Sequence, residues 1–158
     1  MNDYMRIAKE LADNNLITNN GGPFGACIVK DGKIIGKGSN SVIKNTDPTA
    51  HAEIMAIRDA CSNINSFDLT GCVIYTTCYP CPMCLSAVIW SNIEKVYYGN
   101  TKEDAASIGF RDDYIYKYLK KLSNNNHDTN TLSFENIDRE ETIKAFNKFI
   151  DQSNKTIY

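Results

Sequence analysis

The sequence predicts an α/β fold: a mixed sheet with helices on both faces. Three observations lead there. An Asp-Gly pair joins two short runs, which calls for an antiparallel hairpin. Beyond it, runs of strand length alternate with stretches of helical spacing, as strand–helix–strand units do. The 158 residues also fit one domain, at roughly 100–200 residues per domain. With 42% hydrophobic and 23% charged residues, a chain of this length can build a core without disulfide staples.

The elements follow in chain order. Tyr4, Ile7, Ala8 and Leu11 repeat at helical spacing behind Asn2 or Asp3 as cap, and Gly21-Gly22-Pro23 ends that helix. Phe24 to Lys30 and Lys33 to Ser39 are hairpin strands around Asp31-Gly32, a pair suited to a type I′ turn. A loop through Asn45, Thr46, Asp47 and Pro48 leads to a helix from about Ala50 to Cys61. Cys72 to Thr77 is a buried strand, broken by Tyr79 and Pro80, and Pro82 opens a helix running to Trp90. Lys95 to Tyr98 is the next strand, followed by helices over Lys102 to Ile108 and Asp112 to Leu122. The polar tract 123–130 is a linker, Thr131 to Phe134 a fifth strand, and Asp138 with Glu141 a capping-box-like start to the last helix. That helix carries Ile143, Phe146, Phe149 and Ile150 on one face.

Charge and composition narrow the function. Seventeen Lys and Arg against nineteen Asp and Glu leave a net charge of −2, which disfavours a chain whose main task is gripping a nucleic-acid backbone. No apolar run approaches the roughly 20 residues of a membrane span. The start, MNDYMRIAKE, has no apolar h-region. The expectation is a cytoplasmic protein. Of six cysteines, Cys72, Cys78, Cys81 and Cys84 cluster, while Cys27 and Cys61 stand apart. In that setting a C-x-x-C indicates a metal or redox role rather than disulfides.

Two short pieces carry the chemistry: His51-Ala52-Glu53 and Pro80-Cys81-Pro82-Met83-Cys84. H-x-E followed by P-C-x-x-C is the known signature of the zinc-dependent base deaminases. His51, Cys81 and Cys84 supply three N/S ligands for one zinc, and a catalytic zinc leaves the fourth position to water. Each group lies at an expected helix start, where unpaired N–H groups and the dipole favour thiolate. Glu53 lies within the same first turn as His51, placed to take a proton from water and pass it to a ring nitrogen and the leaving amine. Cys78 is a conceivable fourth ligand, which would make the site a closed structural one.

The chain resembles the cytidine-deaminase-like zinc deaminases, and among them the small guanine deaminases. The likeness runs through GGPFGACIVKDG (21–32), DPTAHAE (47–53), YTTCYPCPMCL (75–85), Trp90 and DAASIGFRDDYIY (104–116). The resemblance implies a three-layer α/β/α sandwich around a mixed five-stranded sheet, one Zn²⁺ per chain, and hydrolysis of guanine to xanthine and ammonia. It assigns Asn40 to the base, Phe24 and Trp90 to its faces, and Asp112 to its amino side and to proton transfer, with Asp113 as the alternative. It also implies a homodimer that exchanges the segment from about 131 to 158, so that Tyr158 closes the partner's pocket. Read without it, Phe24 and Trp90 are core residues, Asn40 caps a turn, Asp112 caps a helix and Tyr158 is a chain end.

One position departs from the family: Tyr79 stands where Glu is usual before Pro-Cys. That leaves substrate identity open between guanine and guanosine, adenosine in tRNA, cytosine or another amino-heterocycle. A catalytically silent zinc module is the reading of another class, and it has no need of Glu53.

Overall fold

The computed structural model describes residues 1–124 and 130–157. Eleven elements run in the order α1 (Asp3–Thr18), β1 (Gly25–Lys30), β2 (Lys33–Ser39), α2 (Val42–Asn45), α3 (Ala52–Ile64), β3 (Cys72–Cys78), α4 (Pro82–Trp90), β4 (Lys95–Asn100), α5 (Lys102–Ser107), α6 (Asp112–Ser123) and α7 (Arg139–Ile150) among the described residues. Two compact units emerge, Met1–Tyr116 and Lys117–Tyr158, with the boundary inside α6.

The first unit is built on a mixed four-stranded sheet in the order β2-β1-β3-β4. β1 pairs antiparallel with both β2 and β3, whereas β3 and β4 run parallel with α4 as the crossover. The hairpin forms as expected, with Asp31 and Gly32 both at positive φ (48° and 74°). Side chains alternate between two cores. Ala26, Ile28, Cys72 and Ile74 meet α3 and α4 on one face, and Cys27, Val29 and Tyr75 meet the Tyr4 and Met5 end of α1 on the other. Helices therefore cover both faces, and β1 is buried along nearly its whole length.

Among the described residues the sheet has four strands, not five. Residues 130–138 hold no strand, and Leu132 and Phe134 are more than half exposed. A four-residue alternation becomes a strand only against an edge that takes up its N–H and C=O groups. The described part of the second unit offers only helix. The capping box expected for α7 is also missing: Asp138 sits at φ 51° and its side chain makes no cap hydrogen bond. Its left-handed backbone differs from the β-region conformation typical of an N-cap, from which a side chain reaches the N2 or N3 N–H. Among the described residues no helix is long and apolar enough to cross a membrane.

Two features set where the site lies. On β2, Gly36 and Gly38 lie against α3, whose facing residues Ala52, Ala56 and Ala60 are fully buried. A Cβ on Gly38 would come within 2.3 Å of the Ala52 carbonyl oxygen, and one on Gly36 within 2.5 Å of that of Ala56. On α1, buried Asn15 donates from Nδ2 to the carbonyls of Gly22 (2.9 Å) and Asn40 (2.7 Å), tying two loops together. Gly38→Ala is expected to destabilise the fold by about 1–3 kcal/mol through overpacking, seen as a lower urea midpoint at unchanged slope.

Candidate metal centre

α3 and α4 present their N-termini to the same point. His51 is the N-cap of α3 and Cys81 that of α4, both with extended backbone and neither making a side-chain cap bond. Pro82 fills the first turn of α4, where a missing N–H costs nothing. The two cap side chains instead meet, with Cys81 Sγ 3.6 Å from His51 Nδ1. Cys84, in the first turn of α4, completes a trio whose ligand atoms all lie within 4.8 Å of one another. A tetrahedral zinc at about 2.3 Å from sulfur and 2.0–2.1 Å from nitrogen holds such a pair about 3.6 Å apart. The donor set fits the ion.

Its electrostatics suit a cation. Cys81 is lowered to about 4, first by the hydrogen bond from Cys84 and then, against burial, by that with His51. Cys84 is pushed strongly upward by the same hydrogen bond and by burial, so the pair holds one proton that a metal would displace. His51 is raised, chiefly by its hydrogen bond to Cys81. Glu53 is only 6% exposed, accepts the Thr76 hydroxyl at 3.1 Å, and has its carboxyl raised by burial. Cys78 is not part of the trio. Its Sγ donates to the Thr101 carbonyl (3.4 Å), and burial pushes its thiol up to about 11.

A cavity opens beside His51, Glu53 and Cys81, walled by Phe24, Asn40, Cys78, Tyr79, Phe110 and Asp112. Phe24 meets Phe110 edge-on at 4.7 Å. Asn40, 3% exposed, accepts the Val42 N–H on Oδ1 (3.2 Å), so it caps a turn and faces the cavity at once. Asp112 is raised, mainly by burial.

Residues 1–100 match the family model for the cytidine and deoxycytidylate deaminase zinc-binding region. This chain belongs to that family. Guanine deaminase of Bacillus subtilis is 41% identical over 155 residues, 98% of this chain and 97% of its own. Its crystal structure superposes with a TM-score of 0.91, covering 100% of this chain and 99% of that one. The tRNA-specific adenosine deaminase of Haemophilus influenzae is 41% identical over 75% of this chain and 71% of its own. The structure of Nitrosomonas europaea guanine deaminase aligns at 32% identity with a TM-score of 0.66, over 69% of this chain and 63% of that one. The protein is a zinc-dependent aminohydrolase.

The deaminase brings together His51, Glu53, Cys81, Cys84, Phe24, Asn40 and Asp112, but not every residue singled out from its sequence. Trp90 ends α4, eight positions after Pro82 and so about 12 Å along the axis. It is 66% exposed and does not line the cavity. Asp113 is not among the lining residues either, and Tyr158 lies outside the described residues. Sequence reasoning missed Thr76, Asn15 and Phe110. Phe110 and Thr76 lie within the 104–116 and 75–85 stretches that carry the resemblance but had no role there, whereas an amide near the end of α1 carries no local signature. The deaminase should bind one zinc per chain by elemental analysis, and His51→Ala or Cys84→Ser should take that stoichiometry close to zero.

Proposed function

We propose that this aminohydrolase converts guanine and water to xanthine and ammonia, with His51, Cys81 and Cys84 holding zinc and Glu53 moving the protons. The supporting observation is the juxtaposition of a buried, hydroxyl-anchored carboxylate, the metal trio and an aromatic-walled cavity, in a chain alignable end to end with a guanine deaminase. Zinc in such a site supplies Lewis acidity that makes water nucleophilic near neutral pH. Thr76 holds Glu53 by Oε1, and burial keeps its carboxyl able to carry a proton. Glu53 takes the proton released as water adds to C2 of guanine and delivers it to N3. It then moves the proton of the added C2 hydroxyl to the C2 amine, which leaves as ammonia as the C2 carbonyl of xanthine forms. With Oδ1 committed to Val42, Asn40 offers Nδ2 to an acceptor of the base. The Asp112 carboxylate suits guanine's N–H donors, and Phe24 and Phe110 enclose its plane.

The proposal extends to assembly and setting. The second unit exposes Leu132, Phe134, Ile137, Phe146 and Ile150, an apolar set that a second copy would bury. In the proposed homodimer the segment ending at Tyr158 covers the partner's cavity and excludes water from the bound base. All six cysteines are free, consistent with a reducing cytoplasm.

Glu53→Gln should keep zinc and fold while turnover drops by about 10²–10⁴. In an ammonia-release panel of guanine, guanosine, adenine, cytosine and adenosine, guanine should lead. A clear preference for another amine would overturn the substrate assignment. Chain exchange has its own measurement: mixing Glu53→Gln chains with chains truncated before Ile157 should restore activity in heterodimers. No recovery in demonstrated heterodimers would mean that the tail does not act in trans.

A further inference from the structure

Tyr79, the position that departs from the family's usual Glu, sits where two cavities meet. Its N–H donates to the Asn100 carbonyl (2.8 Å), carrying the β3–β4 pairing one residue past the strand. Its ring is held from two sides: edge-on to Tyr98 at 5.0 Å, and tilted against Tyr116 at 6.3 Å. Tyr116 is itself anchored, its hydroxyl donating to the Pro80 carbonyl at 2.6 Å. Tyr79 lines the cavity beside the metal trio and also a second one walled by Tyr98, Thr101, Lys102, Glu103 and Tyr116. The inner cavity has about 30 Å³ of free volume and the outer one about 300 Å³. A water-sized sphere needs about 10–15 Å³ by the same measure, so the inner space is the tight one, and the larger room is in the outer cavity that Tyr79 also lines.

We propose that Tyr79 is a specificity-determining partition that restricts the deaminase to unsubstituted bases and excludes their ribosides. A sugar on the base would need space of the kind the outer cavity provides, and the Tyr79 ring closes the way to it. A glutamate there could not make this aromatic wall, because it lacks the ring that Tyr98 and Tyr116 grip. The inference deepens the proposed function and rests on it, since it names which members of the substrate class enter the same site.

The test compares kcat/KM for guanine and guanosine, by ammonia release, in zinc-loaded wild type, Tyr79→Phe, Tyr79→Ala and Tyr79→Leu. The base-to-riboside ratio is expected to exceed 100 in wild type and to persist in Tyr79→Phe, which keeps the ring. It should fall at least tenfold in Tyr79→Ala and Tyr79→Leu, through a lower KM for guanosine. Two results overturn the partition: an unchanged ratio in either folded, zinc-loaded small-side-chain variant, or wild-type enzyme that turns over guanosine as well as guanine. The second needs no variant, and Tyr79→Leu stands in should Tyr79→Ala not fold. Failure of the guanine reading is distinguishable: wild type would prefer another amine, and the partition would then be judged by that amine's own base-to-riboside ratio, adenine against adenosine or cytosine against cytidine.

Discussion

The close seating of α3 on β2 is the contact on which the catalytic end of the molecule depends. Gly36 and Gly38 leave no side chain between strand and helix, and Ala52, Ala56 and Ala60 add only methyl groups from the other side. The helix backbone therefore rests almost directly on the strand. Ala52, whose carbonyl lies over Gly38, directly follows His51 and precedes Glu53. A helix held further out would carry both side chains away from β3, breaking the Thr76–Glu53 hydrogen bond and parting His51 from Cys81. Interiors this dense transmit such shifts with little absorption.

On that base the fold solves an electrostatic problem. Two thiols, an imidazole and a carboxyl group lie within one largely buried space, where isolated charges are costly. The uncapped N-termini of α3 and α4 offer partial positive charge to the thiolate. The hydrogen bond between Cys81 and Cys84 pushes Cys81 down and, with burial, Cys84 up, so a bound metal would displace the proton held between them. Glu53 accepts the Thr76 hydroxyl beside the trio, and burial raises its carboxyl, which leaves it able to carry protons.

Around this centre the packing is aromatic and locked by polar ties. Phe24 lies against Phe110, and a Cβ on Gly22 would collide with both rings. Gly21 leaves similarly little room beside Asn40, and Asn15 holds the Asn40 and Gly22 carbonyls from the opposite helix. The walls are thus set by residues that never face the cavity. Substitutions at Gly21, Gly22 and Asn15 would reach the site through geometry rather than through chemistry.

What the sequence by itself determined is what local sterics and ligand chemistry decide. Asp31-Gly32 specified its turn because two adjacent positive φ values suit few residue pairs. Pro82 marked the start of α4 because proline is tolerated in a first helical turn and little further. The metal trio was legible because a three-residue spacing places Cys81 and Cys84 on one helical turn, and the chain has only two histidines. Tertiary structure alone decided the rest. Thr131–Phe134 has a strand's alternation yet no strand, since pairing requires an edge that no local pattern supplies. Trp90 has the composition of a pocket wall but sits at the far end of α4 from the metal ligands, because helix length, not residue type, set its distance. Thr76 meets Glu53 across 23 positions and Asn15 meets Asn40 across 25. Contacts of that separation exist only after the sheet has assembled and the helices have closed on it, so nothing in the neighbourhood of either residue could announce them.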